Sequence, residues 1–275
     1  MAAPRLSLLA TERRRDPAAI AELRGLIRTL ERGSIFAGTA SAGGPSSIPL
    51  GLAALDRVLP AGGLALGALH EVVCASPAGA DAGAGAGFAV ALVARLLAGG
   101  MAGPVLWCLS TAARRELGEP YAPGLAGFGL DPGRLLFARA RRDAEVLWAM
   151  REGLGCARLA VVIGETETAP DLAASRRLQL AAGASGVTAL LVSRRAAGTV
   201  PSAALTRWRV AAAPSAVSVA VEGPSAPRWR VVLERCRGGV PGEWLLEWRH
   251  ETGGFALAAA LPDRSAEPAQ TRLAG

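Results

Sequence analysis

Lysine is absent from this chain, and all thirty basic residues among its 275 are arginine. The absence excludes every mechanism that needs a lysine amine, including Schiff-base chemistry and the phosphate-binding lysine of an ordinary P-loop. The formal net charge of +7 therefore comes from guanidinium groups. Codon bias in a GC-rich genome explains this composition, and so does a surface that contacts nucleic acid or an acidic partner. Composition alone does not separate these two explanations.

Histidine and cysteine are also scarce. His70 and His250 are isolated, with no cysteine or carboxylate pattern around them, so we predict no metal site. The four cysteines form no C-x-x-C pair and most lie in apolar runs, which is typical of buried free thiols in a reducing compartment. The nucleophile motif G-x-S-x-G does not occur. The sequence therefore predicts no catalytic residue.

The sequence shows no convincing signal peptide or membrane-spanning segment. The first apolar patch, Leu6–Ala10, is too short for a signal peptide and is followed by Glu12 and an arginine run. The stretch Gly83–Gly100 is apolar but contains Arg95 and several glycines, so it is a poor membrane span. We expect a cytoplasmic protein without a membrane contact.

The first 47 residues are predicted to form an amphipathic helix over residues 16–32 and a linker. Asp16 caps the helix and Pro17 suits its first position. Apolar residues then recur at helical spacing, which fits either a helix that docks on the core or an arm that binds a partner. The last residues, 262–275, are polar and are predicted to be a disordered tail.

From Ile48 onward, short apolar runs alternate with helical segments, a pattern that predicts βαβ units and a mainly parallel sheet. The predicted strands of this part are Leu69–Val73, Val105–Leu109, Leu135–Ala138, Leu159–Ile163 and Thr188–Val192. The predicted helices are Phe88–Leu97, Asp143–Glu152 and Asp171–Ala182.

After about Leu205 the helical pattern stops, and strands joined by Gly/Pro turns are predicted instead. These strands are Arg207–Ala211, Val217–Val221, Arg230–Arg235 and Trp244–Trp248, with a hairpin loop at Arg237–Gly242. The sequence therefore predicts one α/β domain over residues 48–261, with antiparallel strands at its C-terminal end.

The segment from Ile48 to Glu71 resembles the beginning of the RecA core, in which a Leu-Asp pair, a Gly-Gly-Leu turn and a further Gly precede a strand that ends in Glu. The matching residues are Gly51, Leu55, Asp56, Gly62, Gly63, Leu64, Gly67 and Glu71. Tyr121–Phe137 and Leu159–Gly164 are similar to two later RecA segments. The resemblance covers about Ile48 to Trp248 and implies a RecA-like, P-loop-type core.

The nucleotide site of that family is degenerate in this chain. After Val73 the connection is rich in glycine but lacks G-x-x-x-x-G-K-[ST], and Asp81 is expected to bring a negative charge to the phosphate position. The residues of this degenerate loop are Ser76, Gly79, Asp81, Gly83, Gly85 and Gly87. The segment Leu159–Gly164 has the position of the Walker B strand, which ends in Asp in RecA, but here it is followed by Glu165. Ser193-Arg194 stands where RecA has an Asn-Gln pair that senses the nucleotide. We therefore predict no bound nucleotide cofactor and no ATPase activity.

A RecA-like chain with an intact beginning and a degenerate nucleotide site resembles the ImuA family. That resemblance implies a non-catalytic accessory role in SOS-induced DNA repair and translesion synthesis. The implied partners are an error-prone polymerase-like protein and RecA. Two alternatives stay open at this point: a cell-division inhibitor of the SulA type, and an ATP-binding DNA-repair protein similar to RecA or RadA.

Two arginine-rich stretches are candidate contacts with single-stranded DNA or a protein partner. The first, Arg194–Arg207, has the position of a DNA-binding loop in RecA, and the second contains three tryptophans of the C-terminal strands. The alternative for both is an ordinary strand with one buried face. The candidate residues are Arg194, Arg195, Arg207, Arg209, Trp229, Arg235, Arg237, Trp244 and Trp248.

Overall fold

A computed structural model describes residues 46–195, 201–215 and 226–259. The predicted N-terminal helix over residues 16–32, the strand Val217–Val221 and the tail over residues 262–275 lie outside these ranges.

The described residues form an α/β fold around a nine-stranded mixed sheet. Its strands are β3 (Leu69–Cys74), β4 (Val105–Ser110), β5 (Leu135–Ala140), β6 (Val161–Thr168), β7 (Thr188–Arg195), β8 (Thr206–Ala212), β9 (Arg228–Cys236), β10 (Gly242–Arg249) and β11 (Gly254–Leu257). The order across the sheet is β11-β10-β9-β8-β3-β7-β6-β4-β5. The six strands from β8 to β5 are parallel, whereas β9, β10 and β11 continue the sheet in antiparallel pairs. Two short strands, β1 (Ser47–Ile48) and β2 (Leu64–Ala65), pair separately.

Helices cover both faces of the parallel part, as buried parallel strands require. The helices are α1 (Ala53–Asp56), α2 (Ala80–Ala98), α3 (Thr111–Leu117), α4 (Ala122–Gly127), α5 (Asp143–Leu154) and α6 (Leu172–Ser185). One apolar core lies between the sheet and α2, and a second lies between the sheet and the pair α5–α6. Of the described helices, α2 alone has the length and apolar composition that would cross a membrane, and most of it is buried in the first core.

The predicted strands and helices within the described ranges are present, with shifted ends. The helix predicted at Phe88–Leu97 begins earlier, at Ala80, because alanine residues between the glycines favour helix. The strand predicted to end at Ile163 continues to Thr168. The hairpin between β9 and β10 lies where it was predicted. The sequence did not reveal α3, α4 or β11.

Aromatic side chains join the C-terminal strands to the first core. The Phe88 ring on α2 lies 5.8 Å from Trp208, 5.9 Å from Trp229 and 5.6 Å from Phe255 between ring centroids. Trp248 meets Phe255 edge to face at 5.2 Å. Such contacts stabilise a core beyond the apolar area that they bury. The antiparallel strands are therefore built onto the domain by aromatic packing.

This packing corrects two candidate partner contacts. Trp229 and Trp248 are buried, so neither ring is available on the surface for a hot-spot contact. Trp244 is partly buried and packs against the same core. The alternating pattern of aromatic and charged residues reflects a strand with one buried face, which was the alternative reading of this stretch.

His70 lies at the centre of a buried hydrogen-bond chain. Its Nε2 is 2.8 Å from the Ala65 carbonyl oxygen, so this nitrogen carries the proton and donates. Its Nδ1 then accepts from the Thr206 hydroxyl at 2.8 Å, and that hydroxyl oxygen accepts from Trp208 Nε1 at 2.8 Å. Burial lowers the pKa of His70 to about 4. The chain of hydrogen bonds ties β2, β3 and β8 together while the imidazole is neutral.

The neutral state of His70 predicts acid sensitivity. Because the folded-state pKa lies below the ordinary value of 6.5, the stabilisation is complete above pH 6.5 and is lost as the pH falls towards 4. We expect a loss of about 3 kcal/mol over this range. Urea unfolding of the wild type and of His70→Gln measures it, since the difference between their unfolding free energies should shrink on acidification. A difference that is constant with pH would contradict the neutral network.

Candidate functional site

The carboxyl ends of the parallel strands meet at one edge of the sheet, where α/β proteins of this type place their ligands. At its middle, β3 is followed by the loop 75–79 and then by α2. Gly79 has φ 65° and ψ −148°, a conformation that is nearly restricted to glycine. The Ser76 hydroxyl accepts a hydrogen bond from the Ala78 amide at 3.3 Å. A short strand–turn–helix unit is therefore present.

The predicted glycine-rich loop was too long. Gly83, Gly85 and Gly87 lie on α2, because the helix begins at Ala80. A Cβ atom at Gly85 would lie 2.6 Å from Cys74 Sγ, and one at Gly87 would contact Trp229 at 3.6 Å. Gly85 therefore lets the helix approach β3 closely, whereas a Cβ at Gly87 would make an ordinary contact with the aromatic core. Packing against Cys74 explains the glycine at position 85.

Asp81 also differs from its predicted role. Its Oδ1 accepts a hydrogen bond from the Ala212 amide at 2.7 Å, at the carboxyl end of β8. An acid in the first turn of a helix is favourable for the helix dipole. Asp81 thus connects the beginning of α2 to β8, and its carboxylate is not the group that fills the loop.

Arg194 is the residue that reaches the loop. Its side chain is 5% exposed, and its Nη2 donates to the Pro77 carbonyl oxygen at 3.1 Å. Its Nη1 lies 3.0 Å from Glu167 Oε2, and Arg195 Nε lies 2.7 Å from the other oxygen of the same carboxylate. Arg194 was a candidate DNA contact, and its burial corrects that interpretation. Arg195 is largely exposed but is engaged by Glu167.

Glu165 lies deeper at the same edge. Because β6 continues to Thr168, Glu165 is inside the strand and its side chain is buried. Its Oε1 accepts a hydrogen bond from Trp107 Nε1 at 2.8 Å. Burial raises the pKa of Glu165 to about 7, against the opposing effects of Trp107 and Arg194. The Glu165 carboxyl group is therefore buried, is hydrogen-bonded to Trp107 and binds a proton more readily than an exposed glutamate does.

Other polar groups at this edge also bond within the protein. The Ser110 hydroxyl caps α3 by accepting from the Ala113 amide at 3.1 Å. The Ser193 and Thr166 hydroxyls pair at 3.1 Å. The Asp143 carboxylate accepts from the Glu167 amide at 3.0 Å. Within the described ranges, no group of three His, Cys, Asp or Glu side chains is placed to hold a metal ion.

Sequence reasoning missed the partners at this edge. Glu167 follows Glu165 by two residues, so both side chains lie on the same face of β6, where Arg194 meets them from β7. Trp107 pairs in register with Ile163 and reaches Glu165 on the same face. The sequence shows which residues alternate between the two faces of each strand, but it does not show the order of the strands in the sheet.

Four candidate arginines remain, on the C-terminal strands and the β9–β10 hairpin, and two of them, Arg207 and Arg209, are paired with glutamates. Arg207 Nε lies 2.8 Å from the buried Glu71 Oε2. Cross-strand pairs follow between Arg209 and Glu234 and, at 3.1 Å, between Arg230 and Glu243. Such pairs reduce the positive potential that DNA backbones require.

Arg235 and Arg237 end this series at the β9–β10 hairpin. Arg235 donates to the Ser202 carbonyl oxygen. Its pKa is lowered by burial and then by the nearby Arg237 and Arg207 charges. Arg237 is exposed in the turn. Of the nine candidate contacts, Arg195, Arg209 and Arg237 are exposed, and they do not form one patch with the tryptophans.

The helical glycines give a test of the packing interpretation. Gly85→Ala should lower the free energy of unfolding by about 1 to 3 kcal/mol, because the added methyl overlaps Cys74 Sγ. Gly83→Ala is the matched control: it is exposed on the same helix with open space around it, and should raise stability by about 0.5 to 1 kcal/mol. Adding Cys74→Ala should relieve much of the Gly85→Ala loss. Equal effects of the two alanines in chemical denaturation would contradict close packing at Gly85.

The buried carboxyl group gives a second test. Since the folded-state pKa of Glu165 lies above 4.5, its contribution to stability is complete below pH 4.5 and is lost as the pH rises towards 7. The cost in the wild type should reach about 3 kcal/mol at neutral pH. Glu165→Gln keeps the acceptor for Trp107 and should remove this pH dependence, whereas exposed Glu243→Gln should not. An unchanged pH profile in Glu165→Gln would show that Glu165 is ionised and solvated.

Comparisons with known proteins give the family. No family model matches the chain. It is similar to Protein ImuA of Caulobacter vibrioides, in both strain NA1000 / CB15N and strain ATCC 19089 / CIP 103742 / CB 15. Each is 39% identical over 235 residues, which cover 81% of this chain and 93% of the relative. This identity, over nearly the whole length of the relatives, shows that the chain belongs to the ImuA family.

Proposed function

We propose that this protein is a non-catalytic, RecA-like accessory factor in damage-induced mutagenesis and translesion DNA synthesis. It acts by protein–protein contacts with an error-prone polymerase-like protein and with RecA. Family membership supports the role in mutagenesis. The ImuA relatives match almost over their full length, which favours this function over a cell-division inhibitor of the SulA type.

The layout of the sheet supports a RecA-like scaffold. The strand β3, the loop 75–79 and α2 stand at the middle of the mixed sheet, and helices cover both faces of its parallel part. This is the place of the phosphate loop in nucleotide-binding α/β proteins. The fold therefore has the strand–loop–helix arrangement on which other α/β proteins carry a nucleotide site.

The observation that carries the non-catalytic assignment is the contact between Arg194 and the loop. A phosphate cradle points backbone N–H groups at its ligand and adds a lysine and a hydroxyl for phosphate and magnesium. Here the Pro77 carbonyl oxygen points at the buried Arg194 guanidinium, which Glu167 holds from the other side. The loop and the guanidinium satisfy each other. A triphosphate would have to break this arrangement without a lysine to replace it.

A titration and a cell assay together test the proposal. The purified full-length protein should show no saturable binding of a fluorescent ATP analogue with magnesium up to about 100 µM. Ala78→Glu puts a negative charge on the exposed tip of the loop, and Ala78→Gln is its neutral control. In a strain that lacks its own ImuA, both variants should restore the mutation frequency after DNA damage to within twofold of the wild type.

Two results would contradict the proposal. One is micromolar binding of the analogue that Ala78→Glu abolishes and Ala78→Gln keeps. The other is a mutation frequency that falls in Ala78→Glu alone. Either result would restore the ATP-binding alternative.

A further inference from the structure

The solvent-facing side of the helices α5 and α6 carries large apolar side chains, which are unusual on a helix face that contacts only water. Both helices bury their inner sides in the second core, through Val146 and Met150 on α5 and Leu178 on α6. An amphipathic surface helix places polar residues opposite such a stripe. We define the α5–α6 outer face by five residues that the core does not use: Trp148, Leu172, Arg176, Arg177 and Leu180.

Three of these side chains are large, apolar and exposed. Trp148 is 60% exposed, Leu180 is 62% exposed and Leu172 is 48% exposed. Leu180 lies eight positions after Leu172, so the α6 part of the face extends over about two helical turns, or about 12 Å. Single exposed apolar residues are normal, but three on the outer sides of two helices that pack against each other favour an interaction surface.

The same face offers space for a close approach. Ala144 on α5 and Ala173 and Ala184 on α6 are exposed between or beside the large side chains. Small residues of this kind let another helix pack with its backbone near the surface. The face therefore has large projecting side chains next to depressions over small residues, the ridges and grooves by which helices pack together.

Charge distinguishes this face from the C-terminal strands. Arg176 and Arg177 are exposed, and within the described residues neither forms an ion pair. Arg209 and Arg230, by contrast, are each paired with a glutamate. On α5, Glu145 and Glu152 beside Trp148 are each paired with an arginine, Arg142 and Arg151. The unpaired charge of the face is therefore positive and comes from α6, so that the complement of the face is apolar and acidic.

We propose that the α5–α6 outer face binds an acidic amphipathic helix of a partner protein. The apolar stripe of that helix covers Trp148 and Leu180, and its Asp or Glu residues pair with Arg176 and Arg177. Recognition of an amphipathic helix by apolar anchors with a charged rim is an established mode of binding. This inference rests on the proposed function, since it names the surface and the class of partner for an accessory protein.

The composition of the face favours this occupant over two others. Single-stranded DNA would use the arginines and Trp148, but would leave the exposed leucines without a contact. A second copy related by a two-fold axis would bring the same patch, with the same sign of charge, against itself. An acidic amphipathic helix uses both the apolar and the charged residues.

A pair of designed peptides tests the inference with full-length protein. The probe is a fluorescent 20-residue helix with a leucine stripe flanked by glutamates, and its counterpart carries lysines in place of the glutamates. Fluorescence anisotropy should show that the wild type prefers the glutamate peptide. Trp148→Ala should weaken binding at least tenfold. Val240→Ala is the matched control, because Val240 is equally exposed on the distant β9–β10 hairpin.

Charge reversal makes the test specific. The double variant Arg176→Glu with Arg177→Glu should reverse the preference, so that the lysine peptide binds more tightly than the glutamate peptide. Arg158→Glu, on an exposed arginine outside the face, should leave the preference unchanged. Circular dichroism confirms that each variant is folded.

Three outcomes would overturn the inference. One is no binding of the glutamate peptide up to about 100 µM. Another is binding that is indifferent to Trp148→Ala and to charge reversal. The third is that the same variants abolish binding of oligo(dT) or convert a dimer to a monomer in light scattering, which would assign the face to DNA or to self-association. Nucleotide binding is measured separately, so failure of the non-catalytic assignment would not be mistaken for failure here.

Discussion

A buried guanidinium holds the loop at the carboxyl edge of the sheet in place. Arg194 is almost fully enclosed and bonds to the Pro77 carbonyl oxygen on one side and to the Glu167 carboxylate on the other. Removing either partner would leave a buried charge or a buried acceptor uncompensated, which is costly. The loop after β3 is therefore fixed by the side chain that lies against it.

The rest of the domain is arranged around the same two elements. The helix α2 begins directly after this loop, is tied to β8 through Asp81 and brings Phe88 to the aromatic side chains of the C-terminal strands. Gly85 permits that approach by leaving room for Cys74. This strand–loop–helix unit thus joins the parallel strands of the sheet to its antiparallel extension. The α5–α6 outer face, for which we propose a partner, lies apart from these contacts.

Much of the fold could be predicted from periodicity. Apolar runs located the parallel strands, and the helix predicted to begin at Asp171 begins one residue later, at Leu172, with Asp171 as its capping residue. The extent of the glycine-rich segment could not be predicted, because alternating Ala and Gly satisfy both a loop and a tightly packed helix. Composition also left the place of Trp229 and Trp248 open, since tryptophans beside arginines occur both on binding surfaces and on strands with one buried face. The partners of Arg194 depend on which strands become neighbours in the sheet. The order of the strands cannot be predicted from a local sequence pattern.

The arginine side-chain nitrogen spectrum of the full-length protein tests the central claim most directly. The Arg194 signal can be assigned by its disappearance in Arg194→Lys. The account predicts an Arg194 Nε–H that exchanges slowly with water and keeps its chemical shift when ATP and magnesium are added. A signal that exchanges rapidly, or that moves on addition of ATP, would contradict it.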